Sequence, residues 1–142
     1  MIEKYVVSLE LAKKLKEAGW EKETVYWWWE RRSSSGKLIT QEARYKDDPP
    51  IFLDGNTVEI IAPAPLAEEM LEELPKKITK HSLTYWLTMD YDDAYIMTYS
   101  DCDWFAIVQS MDKKLSNALA RLWLWLKENG YLEENNEAGK NL

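Results

Sequence analysis

The residues best placed to do chemistry form an acidic stretch in the second half of the chain. From His81 to Asp112 the sequence has no Lys or Arg, and it carries six Asp residues: Asp90, Asp92, Asp93, Asp101, Asp103 and Asp112. Carboxylate oxygens on neighbouring loops are the hard ligands that Mg²⁺ and Ca²⁺ prefer. One hypothesis is therefore a metal-dependent hydrolase or nuclease that uses these Asp-rich loops.

The acidic stretch departs from a calcium-binding loop at several positions. Asp90, Asp92 and Asp93 match the start of such a loop, but Ala94 stands where a third ligand belongs, and the central Gly and the terminal Glu are missing. Asp is also a favoured turn residue. The turn interpretation fits the pattern better, so we assign no metal ligand and keep the metal-dependent enzyme as an alternative.

The residues needed for other common catalytic and cofactor sites are missing from the sequence. The chain has one His and one Cys, which excludes metal sites built on two His or on several Cys. Cys102 lies between Asp101 and Asp103, whose charges disfavour a reactive thiolate. The five Gly residues are scattered singly, so no phosphate-binding loop is present. We assign no catalytic residue and no cofactor, and the sequence favours a protein that is not an enzyme.

The aromatic residues suggest a binding surface instead. The chain has eight Trp and eight Tyr, and aromatic side chains with polar tips are enriched at binding hot spots. Strand alternation singles out Trp28 and Trp86 as the rings that face away from the more apolar side of their strands. The predicted partner-binding surface consists of Trp28, Trp86, Asp92, Asp93, Asp101 and Asp103. A core role for most of the aromatic residues remains open.

Charge and composition limit the partners and the compartment. The net charge is −7 and the isoelectric point about 4.8, which disfavours direct binding to nucleic acid and suits a basic protein partner. No apolar run approaches the length of a membrane span, and the N-terminus lacks the pattern of a signal peptide. We expect a cytoplasmic protein that needs no disulfide.

Periodicity and turn signals predict an α+β fold over a single domain at residues 1–130, with a mostly disordered tail at 131–142. The predicted helices are Leu9–Ala18, Pro65–Leu74 and Asp112–Asn129. The predicted strands are Val25–Arg32, Leu38–Tyr45, Ile51–Leu53, Thr57–Ile61, Ser82–Asp90, Ala94–Ser100 and Trp104–Gln109. The expected arrangement, roughly α-β-β-β-α-β-β-β-α, is a mainly antiparallel sheet with three helices packed on it.

Three segments carry a resemblance to a group of proteins. They are residues 11–20 (LAKKLKEAGW), residues 62–65 (APAP) with 71–75 (LEELP), and residues 117–130 (NALARLWLWLKENG). Their order resembles that of small phage- and prophage-encoded proteins of unknown function. The resemblance implies a mobile-element origin, a small α+β fold and, in that case, the host cytoplasm, and it transfers no site residue.

These observations favour a non-enzymatic phage or prophage accessory protein that binds a host or phage protein through an acidic, aromatic surface. Besides the metal-dependent enzyme, a second alternative is an acidic inhibitor that mimics nucleic acid, because clustered carboxylates can imitate phosphates. The sequence leaves the identity of the partner and the oligomeric state open.

Overall fold

A computed structural model of the chain describes residues 1–51 and 53–132. The chain divides into two compact units, Met1–Ala67 and a second unit that begins at Glu68. Each unit has its own antiparallel sheet with a helix packed against it. The predicted α+β class is confirmed, with two sheets in place of one. The single domain predicted over residues 1–130 stays a prediction.

The first unit is built around a central tryptophan-rich strand. Its elements are a 3-10 turn (Ile2–Lys4), helix α1 (Leu9–Glu17), and strands β1 (Tyr26–Arg32), β2 (Leu38–Tyr45) and β3 (Thr57–Ala64). The strand order is β2-β1-β3, and β1 runs antiparallel to both neighbours. Helix α1 packs on β3.

Helix α1 forms where the sequence predicts it. Leu11 and Leu15 lie one turn apart and are buried, so the helix presents an apolar stripe to the sheet. Ser8 is the N-cap residue. Gly19, with φ +98°, ends the helix in the left-handed conformation that glycine adopts without steric cost.

The second unit is a meander followed by a long helix. Its elements are α2 (Ala67–Glu72), β4 (Lys77–Lys80), β5 (Leu83–Tyr91), β6 (Tyr95–Ser100), β7 (Ala106–Asp112) and α3 (Leu115–Glu128). The strand order β4-β5-β6-β7 follows the chain, and every pair is antiparallel. Short turns force this arrangement, because only antiparallel neighbours can be joined by a few residues.

Helix α3 and strand β6 supply the core of the second unit. Their fully buried side chains include Leu119, Leu122, Leu126, Met97 and Tyr99. The hydroxyl of Tyr99 donates to the carbonyl of Pro75 at 2.5 Å, and burial raises the pKa of this phenol. The hydroxyl of Ser110 in β7 donates to the carbonyl of Ala118 in α3 at 2.7 Å. These bonds satisfy polar groups that would otherwise destabilise the core.

One observed strand was not predicted, and one predicted strand does not form at its described residues. Strand β4 was missed because its sequence, Lys-Ile-Thr-Lys, looks polar, yet Ile78 is fully buried while its neighbours are exposed. One buried side chain is enough here, because β4 pairs along its length with β5. The strand predicted at 51–53 does not form at Ile51 or Leu53, which are exposed and outside any strand. Residue 52 lies outside the described residues.

The last described residues pack on helix α3. Tyr131 is buried, and its ring stacks on Trp125 with centroids 5.3 Å apart. Residues 133–142, most of the predicted disordered tail, lie outside the described residues. None of the described helices is long and apolar enough to cross a membrane.

Candidate protein-binding surface

Trp28 belongs to the core of the first unit. Its side chain is 7% exposed, and its Nε1 donates to the carbonyl of Val7 at 2.9 Å. Its neighbour Trp29 is also buried and donates to the carbonyl of Tyr45 at 3.1 Å. Placing Trp28 on a partner-binding surface is therefore corrected, because its strand is the central one of the sheet and its ring and indole N–H are already used inside the unit.

Trp86 lies at an exposed position in β5, as the sequence predicts. The residue is 44% exposed. The next residue, Leu87, pairs with the buried Tyr99, so alternation turns Trp86 to the opposite face of the sheet. Trp86 pairs with Ser100, the last residue of β6. Trp86 thus lies at the end of the sheet where the chain turns from β6 into β7.

The predicted Asp residues separate into two groups. Asp92 and Asp93 are exposed in the turn beyond the Tyr91–Tyr95 pair, which is the far end of β5 from Trp86. Tyr91 lies five positions along β5 from Trp86, a distance of about 17 Å. Asp101 and Asp103 lie in the β6–β7 loop at the Trp86 end. The two pairs of carboxylates therefore cannot share one ion or one small ligand.

No group of His, Cys, Asp and Glu within residues 1–51 and 53–132 is arranged to hold a metal ion. Cys102 is exposed in the β6–β7 loop. His81 is exposed in the turn between β4 and β5, where it and Ser82 both have positive φ. That geometry is typical of a tight two-residue hairpin turn.

The β6–β7 loop has a defined hairpin geometry. The N–H of Asp101 donates to the carbonyl of Phe105 at 2.9 Å, and the N–H of Trp104 donates to the carbonyl of Asp101 at 3.1 Å. Trp104 has φ +68°. This is the pattern of a hairpin loop in which a turn is followed by one left-handed residue, a position usually taken by glycine.

Trp104 is an unusual residue for the left-handed position. A side chain with a Cβ there costs on the order of 1–2 kcal/mol, and a bulky residue at positive φ is a genuine outlier. Trp104 is 81% exposed, so packing within the chain returns little of that cost. Strain of this kind concentrates at functional sites, where the side chain is needed in that direction.

Asp101 holds the loop in this shape. Its Oδ1 accepts a hydrogen bond from the N–H of Asp103 and another from the N–H of Phe105, both at 2.9 Å. A carboxylate that caps two backbone donors is already occupied. Asp101 is therefore a positioning residue, whereas Asp103 is exposed and adds its charge to the surface.

One group of residues combines exposure, aromatic area and negative charge. We define the aromatic tip as Trp86, Trp104 and Phe105 together with Asp101 and Asp103. Trp104 and Phe105 are 81% and 72% exposed. The predicted partner-binding surface includes neither of them, and the predicted strand begins at Trp104, whereas β7 begins at Ala106. The sequence did carry a signal for this loop: the Asp-rich turn at residues 101–103 is followed directly by Trp104 and Phe105, with no glycine at the left-handed position.

Comparison of the chain with protein-family models, with curated proteins and with solved structures gives no match.

Proposed function

We propose that this protein is a non-enzymatic accessory protein, of phage or prophage origin, that binds a basic partner protein through the aromatic tip. The observation that carries the proposal is Trp104, a large ring that is exposed and held at an unfavourable backbone angle. Backbone strain of this kind clusters at binding and active sites, and the exposed ring of Trp104 is available to a partner.

The chemistry of the tip favours a protein partner. Exposed Trp and Phe provide large contact areas with few rotatable bonds, as the hot spots of protein interfaces do. Asp103 lies beside Trp104 and no Lys or Arg occurs from His81 to Asp112. The β6–β7 loop of the tip therefore attracts cationic side chains, and Arg and Lys can also stack on its rings. Trp86 itself pairs with the exposed Lys77 of β4, so the negative charge of the tip lies in this loop.

The acidic charge argues against two other targets. Insertion of the tip into a membrane would bring Asp101 and Asp103 to a surface that is itself negative in most cytoplasmic leaflets. Nucleic acid would meet the same repulsion, because binding it requires cations that neutralise phosphates. A basic protein can both pack against the exposed rings and pair its cationic side chains with the carboxylates.

The proposal is tested by affinity capture of the tagged protein from bacterial lysate with elution by a salt gradient. The Trp104→Gly variant keeps the loop geometry and removes the ring. We expect it to lose a basic partner that the wild type retains, with affinity reduced at least about 30-fold as for other hot-spot residues. Asp103→Asn should elute the same partner at lower salt. The variant has one negative charge fewer, so less salt is needed to screen its attraction to the partner.

Tyr91→Ala is the matched control, because Tyr91 is 63% exposed and lies at the far end of β5 from Trp86. It should capture the same partner as the wild type. Equal capture by the wild type and Trp104→Gly would contradict the proposal, as would failure to capture any basic protein in replicate experiments.

A further inference from the structure

The outer edge of strand β7 is an open hydrogen-bonding edge in the sheet of the second unit. In the part of the chain that the structure describes, β6 is the one strand that pairs with β7. Alternate residues of β7 therefore direct their backbone N–H and C=O groups away from the sheet. Ala106, Gln109 and Met111 of this strand are exposed. An unpaired edge of this kind is a template on which another strand can form hydrogen bonds.

The other sheet edges carry features that hinder such pairing. In β2, the N–H of Ala43 donates to Oε1 of Glu3 at 3.3 Å. Strand β3 contains Pro63, which has no N–H, and its Ile61 carbonyl accepts a bond from Nζ of Lys16 at 3.3 Å. Strand β4 has four residues, and two of them are Lys. The seven residues of β7, in contrast, include no Lys, Arg or Pro.

Most of β7 is regular enough to accept a strand. Its register with β6 shifts once, between Ala106 and Val108, which leaves Ile107 as a bulge. Residues 108–112 pair with β6 without interruption, and this is the length of an ordinary strand. Ser110 is the centre of this stretch.

The side chains of the regular stretch alternate between two faces. Ser110 is buried, and its hydroxyl donates to the carbonyl of Ala118 in α3, so it points toward the helix. Gln109 and Met111 therefore point to the opposite face of the sheet, where both are exposed. A strand added at this edge would place its own side chains beside these two.

The charges at the two ends of β7 favour a second copy of the same edge. The loop that precedes the strand carries Asp101 and Asp103, and the exposed Lys113 follows the strand directly. An antiparallel copy brings Lys113 of each chain toward the acidic loop of the other, and the attraction occurs twice. A parallel copy would place like charges side by side, which is destabilising.

We propose that the free edge of β7 binds the same edge of a second copy of this protein. The two strands run antiparallel about a two-fold axis at Ser110, so Gln109 of each copy lies opposite Met111 of the other. The two four-stranded sheets then form one continuous sheet that ends on either side in the lysine-bearing β4. The contact is isologous, so the association stops at a dimer.

The short contact sets the expected strength of the dimer. Small interfaces are characteristic of weak association, so the dimer population should rise with protein concentration. The pairing uses the backbone of β7 and does not require the ring of Trp104. It therefore stands or falls separately from the proposed function.

The first measurement is sedimentation velocity of the full chain over a concentration series up to about 500 μM, where dimers of micromolar affinity are populated. We expect a monomer–dimer equilibrium. Hydrogen exchange at the two ends of the series should show slower exchange of β7 amides in the dimer, because they gain hydrogen bonds there. A protein that stays monomeric at every concentration would overturn the proposal, whether its edge is open or covered by another segment of the chain.

Two double variants test the register. Gln109→Lys combined with Met111→Lys places like charges opposite each other at both positions, and should weaken dimerisation at least about tenfold. Gln109→Lys combined with Met111→Glu places each introduced lysine opposite an introduced glutamate of the second copy, so this variant should still dimerise. Circular dichroism checks that both variants fold, as exposed positions allow.

Two single variants are the controls. Thr79→Lys adds a positive charge at an exposed position of β4, on the opposite edge of the same sheet, and should dimerise as the wild type does. Trp104→Gly should also dimerise normally, although it should lose the basic partner. Dimerisation that persists when both introduced residues are lysine would overturn the proposal, as would its loss in both double variants.

Discussion

Trp28 and Trp104 show how two units of one chain use the same residue type in opposite ways. Trp28 lies in the central strand of a sheet, buried and bonded to the carbonyl of Val7. Trp104 lies in a hairpin loop, 81% exposed and at a positive φ. In the first case the surrounding fold uses the ring completely. In the second case the fold bears a cost to present the ring.

The same contrast holds for carboxylates. Glu30 in β1 is 7% exposed and is held by Arg32 and Gln41. Asp103 in the β6–β7 loop is exposed. Side chains that are buried and hydrogen-bonded inside a unit contribute to its stability. The side chains left unused are the better candidates for binding.

The largest effect should come from truncating the buried ring. Trp28→Ala should destabilise the protein by about 3–5 kcal/mol, because it opens a cavity and leaves the carbonyl of Val7 without its donor. Trp104→Ala removes the same number of atoms and should change stability by less than about 0.5 kcal/mol. Urea unfolding, monitored by circular dichroism, measures both free energies of unfolding. A similar loss of stability in the two variants would contradict the difference between a buried and an exposed ring.

An intermediate effect should come from the buried carboxylate. Glu30→Gln should cost about 1–3 kcal/mol at neutral pH, because hydrogen bonds to a charged group are replaced by neutral ones. Glu42→Gln is the control, since Glu42 is more exposed and pairs with Arg44 at 3.6 Å, an arrangement worth about 0–1 kcal/mol.

The cost of Glu30→Gln should also depend on pH. The hydrogen bond from Arg32, followed by that from Gln41, holds the pKa of Glu30 below its ordinary value of 4.5. Stability from a lowered pKa is complete above the unfolded value and is lost as the pH falls through the folded one. The difference between wild type and Glu30→Gln should therefore shrink as the pH falls below 4.5. A difference that grows with acidity would contradict this assignment.

The smallest effect, and the sharpest for function, should come from relieving the strained loop. Trp104→Gly should leave stability unchanged or raise it by up to about 1 kcal/mol, because relief of backbone strain offsets the greater freedom of glycine in the unfolded chain. Trp104→Asn should behave similarly, since Asn tolerates the left-handed region. Loss of more than about 1 kcal/mol in either variant would mean that the ring supports the fold instead.

Several elements could be predicted because their signals are local. Helix α1 has its apolar spacing, its N-cap Ser8 and its terminal Gly19 within one short segment, and the observed helix ends within a residue of the prediction. The meander was predictable for the same reason, since short Asp-rich turns leave only antiparallel pairing between β5, β6 and β7. The candidate site was predicted only in part: Trp86, Asp101 and Asp103 lie at one end of the sheet, and Trp28 does not.

The sequence by itself determined the α+β class, the acidic charge and the antiparallel meander, because each follows from composition or from contacts between near neighbours in the chain. Only the tertiary structure decided which aromatic rings remain exposed. Alternation assigned Trp28 to a face of its strand, but whether that face is covered depends on Val7, 21 residues away in sequence. The exposure of Trp104 depends likewise on its positive φ in a loop where Asp101 accepts hydrogen bonds from two backbone N–H groups. Residue types alone do not specify this loop conformation.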